Sequence, residues 1–303
     1  MPLNPNSDGI KELLDYAASN GIKCLTMEPL SRHTTFKVGG PCSLMLFPDT
    51  IAKLRKILSW QGLGEIRHMV LGNGSNVLFS DQGYNGAIIS LAGSLNSVKE
   101  SDGVIKAEAG ALLSRVARLA LERELTGMEP LSGIPGSIGG ACYMNAGAYG
   151  GEMKDIVTSV TVLNRNGELK ATPREELMFG HRTSRFIGSG DIIAECTIKL
   201  SKAKKSDIQS AMEDFSNRRR LKQPLEYPSA GSVFKRPKDD FAGRLIEQGV
   251  SIGGAIVSQK HAGFIINKSG ATSQDIKDLI DKIRTTVFNE TGVLLECEVQ
   301  IID

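Results

Sequence analysis

Apolar positions in the first two hundred residues switch between two periods. Ile10, Leu13, Leu14 and Ala17 recur at helical spacing and stop at Asn20-Gly21; Ile51, Leu54, Ile57 and Leu58 repeat the pattern behind Asp49-Thr50. Short apolar runs at 43–47, 66–71, 87–91 and 104–109, bounded by Gly, Pro or Asp, predict strands. A helix is expected from 112 to about 124, with Leu112, Val116, Leu119 and Ala120 on one face and an end at Gly127. Strands follow at 156–163 and 191–200, the second alternating Ile192, Ala194, Cys196, Ile198 and Leu200.

Beyond a polar run at 201–206, Ser206 and Gln209 read as a capping box for a helix carrying Ile208, Ala211, Met212 and Phe215. A domain boundary is placed there: 1–205 as one domain of two lobes (about 1–92 and 93–205), and 206–303 as a second. Its main helix is expected to start at Thr272, with Asp275 in the first turn. It buries Ile276, Leu279, Ile280, Ile283 and Val287, and stops at Gly292.

Composition narrows the function. The chain has 303 residues, 41% of them hydrophobic, and a formal net charge of +2, too mild for a nucleic-acid or membrane-surface protein. The amino terminus lacks the basic start and apolar run of a secretory signal, and no stretch is long enough to span a bilayer, so the expected location is the cytoplasm. Five cysteines without C-x-x-C spacing read as buried, reduced thiols, and four scattered histidines make no metal cluster, so no metal is expected.

Glycine-rich segments carry the candidate chemistry. Leu71-Gly72-Asn73-Gly74-Ser75-Asn76 follows a strand, where a Gly-x-Gly turn can offer backbone N–H groups to phosphate oxygens. The next residues, Val77-Leu78-Phe79, read as a strand and not a helix, which argues against a dinucleotide-binding Rossmann unit and leaves a hairpin turn open. Thr34-Thr35-Phe36-Lys37-Val38-Gly39-Gly40-Pro41 is a second such loop. The densest is Ser132-Gly133-Ile134-Pro135-Gly136-Ser137-Ile138-Gly139-Gly140-Ala141, followed by Met144-Asn145-Ala146-Gly147-Ala148-Tyr149-Gly150-Gly151, where missing Cβ atoms let the backbone press against a flat or anionic ligand.

These three loops, together with His181-Arg182-Thr183-Ser184, Gly231-Ser232-Val233-Phe234-Lys235-Arg236-Pro237 and Leu295-Glu296-Cys297-Glu298-Val299, resemble in order the motifs of the UDP-N-acetylenolpyruvoylglucosamine reductase family. The resemblance runs from about Thr34 to Ile302. It implies an α+β protein with a vanillyl-alcohol-oxidase-like FAD-binding domain of two α/β lobes and a C-terminal substrate-binding domain, whose last strand returns to the first. It implies FAD as cofactor and NADPH as reductant. The substrate it implies is UDP-N-acetylglucosamine enolpyruvate, whose enolpyruvyl ether would be reduced to the lactyl ether of UDP-N-acetylmuramate for peptidoglycan synthesis. The enzyme is expected to be a monomer, of the smaller class lacking an inserted substrate loop, since 186–206 is short.

Residue by residue, the resemblance assigns flavin contacts to Thr35, Val38, Gly39 and Gly40; to Gly72, Asn73, Gly74, Ser75 and Asn76; and to Gly133, Ile134, Pro135, Gly136, Ser137, Gly139 and Gly140. Arg182 would fork onto the substrate carboxylate as negative charge gathers beside it. Ser232 would protonate the new stereocentre, and Glu298 would assist the enolate. Lys222 would bind the UDP-sugar, with Lys235 and Arg236 pairing with diphosphate, while Arg218–Arg220 read as a solvated helix face. Alternation places Glu296, Glu298 and Gln300 opposite Leu295, Cys297, Val299 and Ile301. His181 and Gln300 depart from the family, which commonly has tyrosine and arginine there. Read from the residues alone, another FAD oxidoreductase of this fold, or a non-catalytic flavin or nucleotide-sugar binder, stays open.

Overall fold

The computed structural model describes residues 7–164, 167–237 and 240–303; the run Met1–Asn6, read above for charge and hydropathy, lies outside them. The first lobe is built on a four-stranded sheet in the order Lys23–Pro29, Pro41–Phe47, Tyr84–Ser90, His68–Leu71. The first pair is antiparallel and the other two parallel. Parallel neighbours need a crossover, and the helix Ile51–Ser59 lies between two of these strands in the chain. Thr50 caps it by accepting from the Lys53 N–H, and Leu54, Ile57 and Leu58 face the core.

The second lobe is an antiparallel five-stranded sheet, Leu169–Pro173, Val157–Leu163, Ile192–Lys199, Val104–Glu108, Val98–Ser101. Ala194, Cys196 and Ile198 are buried, as the alternation predicts. One apolar core is continuous through both lobes.

Two helices differ from expectation at their ends. The helix expected to run from 112 spans Leu113–Glu122, and its buried face is Leu113, Val116, Ala117 and Ala120. Leu112 is the extended residue before it, bridged to Ser137 and 40% exposed. The chain turns away at Glu124, which takes φ +57°, before Gly127 is reached. The next helix starts at Lys205, and Ser206 does not cap it, its hydroxyl donating instead to Asp207. The reason lies upstream: Ser201–Lys202 pairs with Leu125–Thr126, and Ala203 N donates to Glu124 O, fixing where the chain can turn into a helix.

That helix, Lys205–Lys222, packs against Leu113–Glu122, Leu125–Thr126 and the 3-10 turn Glu129–Leu131, and its Met212 joins the core of the two lobes. After it come a three-stranded antiparallel sheet, Ser251–Ile252, Ala255–Val257, Ile265–Asn267, and the helix Ser273–Thr291. Here the sequence reading holds residue for residue. Thr272 and Asp275 form the capping box, the expected five apolar residues are buried, and Gly292 ends the helix at φ +73°. The final strand, Gln300–Ile302, runs parallel to Val77–Phe79 of the first lobe. Ile301 is 39% exposed, so the alternation that holds through Val299 lapses once this strand joins a different partner.

Among the described residues, no helix is long and apolar enough to cross a membrane, and no group of three His, Cys, Asp or Glu is placed to hold a metal. Cys142 and Cys196, far apart in the chain, meet in the core with sulfurs 2.8 Å apart as an S–H···S pair. Burial pushes the Cys196 thiol up, and the Cys142 sulfur beside it adds to the shift; burial also raises Cys42, to about 12. Thiolate being the reactive form, Cys42 and Cys196 are expected to stay inert to an aqueous disulfide reagent at pH 8. A thiol count in native protein, compared with unfolded protein, checks this.

Candidate active site

A cavity of about 1310 Å³ lies where the two lobes meet the C-terminal domain. Its floor is made by two glycine-rich loops that interlock. Asn73 Nδ2 donates to Pro135 O at 2.7 Å, and a Cβ on Gly72 would sit 2.6 Å from Ser137 Oγ. The longer loop is pinned from below, with Ile138 N donating to Ala111 O and Gly139 N to Ala109 O, both at 2.8 Å. Among the described residues, no acceptor is hydrogen-bonded to the N–H groups of Asn73, Gly74 and Ser75, all of which line the cavity. An orphan amide row beside a surface stripped of Cβ atoms suits a flat cofactor carrying phosphates, so the residues present fit FAD.

Gly74 is where side-chain absence matters most. It holds φ +61°, and a Cβ there would fall well inside contact distance of the His33 carbonyl. Gly74→Ala is expected to cost about 1–3 kcal/mol through backbone strain and overpacking. A lowered Tm together with weaker FAD retention on gel filtration checks it.

The loop at 34–41 behaves differently from expectation. Thr35, Val38, Gly39 and Gly40 do not line the cavity. Phe36 and Val38 are instead buried in the C-terminal core, and Asn267 Nδ2 donates to Phe36 O at 3.2 Å. Thr35 N donates to Gly74 O, and Gly39 and Gly40 pack closely against Phe79 and the Asp81 carbonyl. Two apolar side chains with a better place to bury turn this loop away from the cavity, and it buttresses the Gly72–Asn76 turn from behind. The other two expected loops both line the cavity along their whole expected set.

Arg182, Ser232 and Glu298 come together from three distant segments. Arg182 sits on a tight turn closed by the Gly180–Thr183 bridge and takes φ +53°. Its guanidinium Nε donates to Glu298 Oε1 at 2.9 Å, Nη2 to Gly147 O at 2.9 Å and Nη1 to Asn145 O at 3.4 Å. Three of five N–H groups are thereby engaged, leaving two for a ligand. Glu298 is held against the serine segment through its backbone, Glu298 N donating to Val233 O at 2.7 Å. Burial pushes the Glu298 carboxyl above the usual range, while the Arg182 guanidinium opposes the shift. Ser232 stands beside Gly263, where a Cβ would lie 3.6 Å from Ser232 Oγ and 3.0 Å from His261 Cε1.

The expected cations are sorted by the fold. Lys222 is exposed at the end of its helix and does not line the cavity, whereas the next residue, Gln223, does. Lys235 is also outside it, paired with Glu296 at 3.1 Å. Arg236 does line it, its guanidinium 3.9 Å from the Phe241 ring centre. Arg219, read as part of a solvated face, lines the cavity against Gly133, and Tyr149 lies beneath it, stacked on Phe215 with centroids 5.0 Å apart. Burial depresses its pKa, and Tyr149 partly compensates. Helical spacing from Ile208, Met212 and Phe215 reaches Arg219 and was the available signal. Arg244 and His261 also line the cavity, without a local signal. The His261 pKa is lowered by burial, and its Nδ1 accepts from Gly263 N at 3.1 Å, which puts the neutral ring's proton on Nε2. His181 and Gln300, the two departures, both face the cavity.

Comparisons with known proteins agree with this geometry. Residues 223–302 match the family model described as UDP-N-acetylenolpyruvoylglucosamine reductase, C-terminal domain, and residues 42–172 match an FAD binding domain. The UDP-N-acetylenolpyruvoylglucosamine reductase of Clostridium tetani is 41% identical over 99% of this chain and 98% of its own. That of Caldicellulosiruptor bescii is 45% identical over 95% and 93%. The crystal structure of the Thermus caldophilus enzyme of the same name superposes with a TM-score of 0.79 at 33% identity, covering 93% of this chain and 99% of that one. A Physcomitrella patens BBE-like protein, 16% identical with a TM-score of 0.50 over 63% of this chain and 44% of its own, shares the fold.

Proposed function

From the premise that this chain belongs to the UDP-N-acetylenolpyruvoylglucosamine reductase family, we propose a division of labour among Arg182, Ser232 and Glu298 in the family's reaction. The protein is an FAD-dependent oxidoreductase that uses NADPH to reduce the enolpyruvyl ether of UDP-N-acetylglucosamine for peptidoglycan synthesis. When bound, FAD would supply the two-electron chemistry that links oxidation of NADPH to hydride addition at the terminal carbon of the enolpyruvyl group. The Gly72–Asn76 turn and the loop at 133–140 would hold it, and the buttressing loop at 34–41 would keep the turn in shape.

Delivery to the terminal carbon leaves negative charge on the carbon bearing the carboxylate. Arg182 offers that carboxylate its two unused N–H groups, in a setting where burial strengthens the interaction. Glu298, bonded to Arg182 Nε, keeps the guanidinium oriented, and burial raises its pKa, in the direction that favours a proton shared with the substrate carboxylate. Ser232 Oγ gives the proton that completes the new C–H bond, and the alkoxide regains a proton from solvent once the product has left. A serine hydroxyl is a weak acid, and only exclusion of water and close placement make it competent. The single observation that carries the reading is the meeting of Arg182 and Glu298, 116 residues apart, at 2.9 Å on the wall that also holds Ser232.

The substrate-binding domain is taken to start at Gln223, since the preceding helix packs on the second lobe. The UDP-sugar is assigned to Arg236, Arg244 and Gln223, in place of Lys222 and Lys235. A visible spectrum followed through anaerobic NADPH and then UDP-N-acetylglucosamine enolpyruvate tests the whole. The flavin band should bleach with the first and return with the second. A band that bleaches and stays bleached would leave the fold standing and remove the substrate.

A further inference from the structure

Two of the left-handed, non-glycine residues in this protein, Arg182 at φ +53° and Asn145 at φ +44°, are bonded to each other. Such residues persist only where their surroundings over-determine them. For Arg182 those surroundings are the Gly180–Thr183 bridge, Glu298 and Gly147 O, and one buried side chain that ties the turn down. Asn145 is completely buried, and Nδ2 donates to Gly180 O at 2.8 Å, closing the turn that presents the arginine. The same Nδ2 donates to Glu152 Oε2 at 3.1 Å, and Oδ1 accepts from Lys154 N at 2.9 Å. Asn145 O then accepts from Arg182 Nη1 itself. One residue thus holds both the backbone that carries the guanidinium and the guanidinium.

We propose that Asn145 is a positioning residue for the reduction of the enolpyruvyl group, acting only through Arg182; the inference rests on the role given to Arg182 above. The carboxamide is the required chemistry, because its site asks for two donors and one acceptor at once. Its two N–H groups face a carboxylate and a carbonyl, and its oxygen faces an N–H. Aspartate has the same shape and the opposite character there, setting negative oxygen against Glu152 and Gly180 O. Alanine removes the bonds to Gly180 O, Glu152 Oε2 and Lys154 N together and loosens the turn. Either change lets the guanidinium drift, and a misplacement of about 1 Å costs on the order of 10²-fold in rate.

The test uses the FAD-loaded enzyme and separates the two half-reactions by stopped flow. Asn145→Ala and Asn145→Asp are each expected to slow flavin reoxidation by UDP-N-acetylglucosamine enolpyruvate by about 10²-fold, with NADPH-driven bleaching unchanged. In an Arg182→Met background, adding Asn145→Ala should cause no further loss, since a residue that acts through another has nothing left to position. Equal slowing of both half-reactions, or a loss that multiplies with that of Arg182→Met, makes Asn145 a fold residue and overturns the inference. Wild-type reoxidation in both Asn145 variants, with Arg182→Met slow, overturns it while sparing the role of Arg182. Normal reoxidation in Arg182→Met removes that role and the inference together. Should Asn145→Ala fail to hold FAD, the equal-volume Asn145→Asp decides by the same split.

Discussion

Ser232→Ala is expected to slow substrate-driven flavin reoxidation by about 10²–10⁴-fold, the range for removing a positioned proton donor, while NADPH bleaches the flavin at the wild-type rate. The asymmetry follows from where the proton is needed. Only the enolpyruvyl half-reaction makes a new C–H bond at a carbon that must be protonated. Ser232 is placed for this by backbone alone: Val233 N donates to Gly263 O, and Val233 O accepts from Glu298 N, so the serine sits between the His261 loop and the glutamate. Loss of one hydroxyl leaves those bonds intact, and Tm should not move. Stopped-flow traces of the two steps decide the matter, since equal loss in both would defeat the assignment. Ser232→Cys, which keeps a proton donor at the same place, should recover part of the rate.

The second large effect is expected at Arg182. Arg182→Met should cost about 10²–10³-fold in the same step, the scale for deleting a group aimed at developing negative charge. It also carries a pH signature that a merely destabilising change would lack. Burial already raises the Glu298 carboxyl, and the guanidinium is the chief influence holding it down. Removing that cation must raise the carboxyl further. If Glu298 acts by sharing its proton, the rate declines as pH rises through its pKa, and the decline in Arg182→Met moves to higher pH. Profiles of reoxidation rate against pH for the two proteins give the sign directly. Glu298→Gln should lack this limb altogether; an unchanged limb in Arg182→Met would mean that the glutamate does not titrate in the step.

Much of the architecture was legible because it is local. The helix Ser273–Thr291 is written in full by a capping threonine, its answering aspartate, an apolar stripe and a terminal glycine, all within about twenty residues. Two of the three glycine loops were legible for a related reason, since backbone without Cβ atoms can shape itself around a ligand wherever it is placed. Where local signals competed with contacts elsewhere, they lost. Ser206 and Gln209 have the spelling of a capping box, but pairing of Ser201–Lys202 with Leu125–Thr126 sets the helix start two residues earlier, with Lys204 at the cap position.

What the sequence by itself determined, then, was the element list, the mixed α/β character of the first two hundred residues, and, through ordered motifs, the family and its three candidate catalytic residues. Tertiary structure alone decided which cations reach the cavity. Four of the five residues from Arg218 to Lys222 are cations; helical spacing sets Arg219 on the face of Phe215, but its contact with Tyr149 and Gly133 is what brings it to the cavity. It decided that Phe36 and Val38 enter the C-terminal core, so that their loop supports the Gly72–Asn76 turn from behind. It decided, too, that Arg182 would be held left-handed by Asn145 and paired with Glu298. Periods of two and 3.6 residues report which face of an element is buried, but they carry no information about which distant segment will cover it. A site assembled from residues 145, 182, 232 and 298 exists only once the chain has closed.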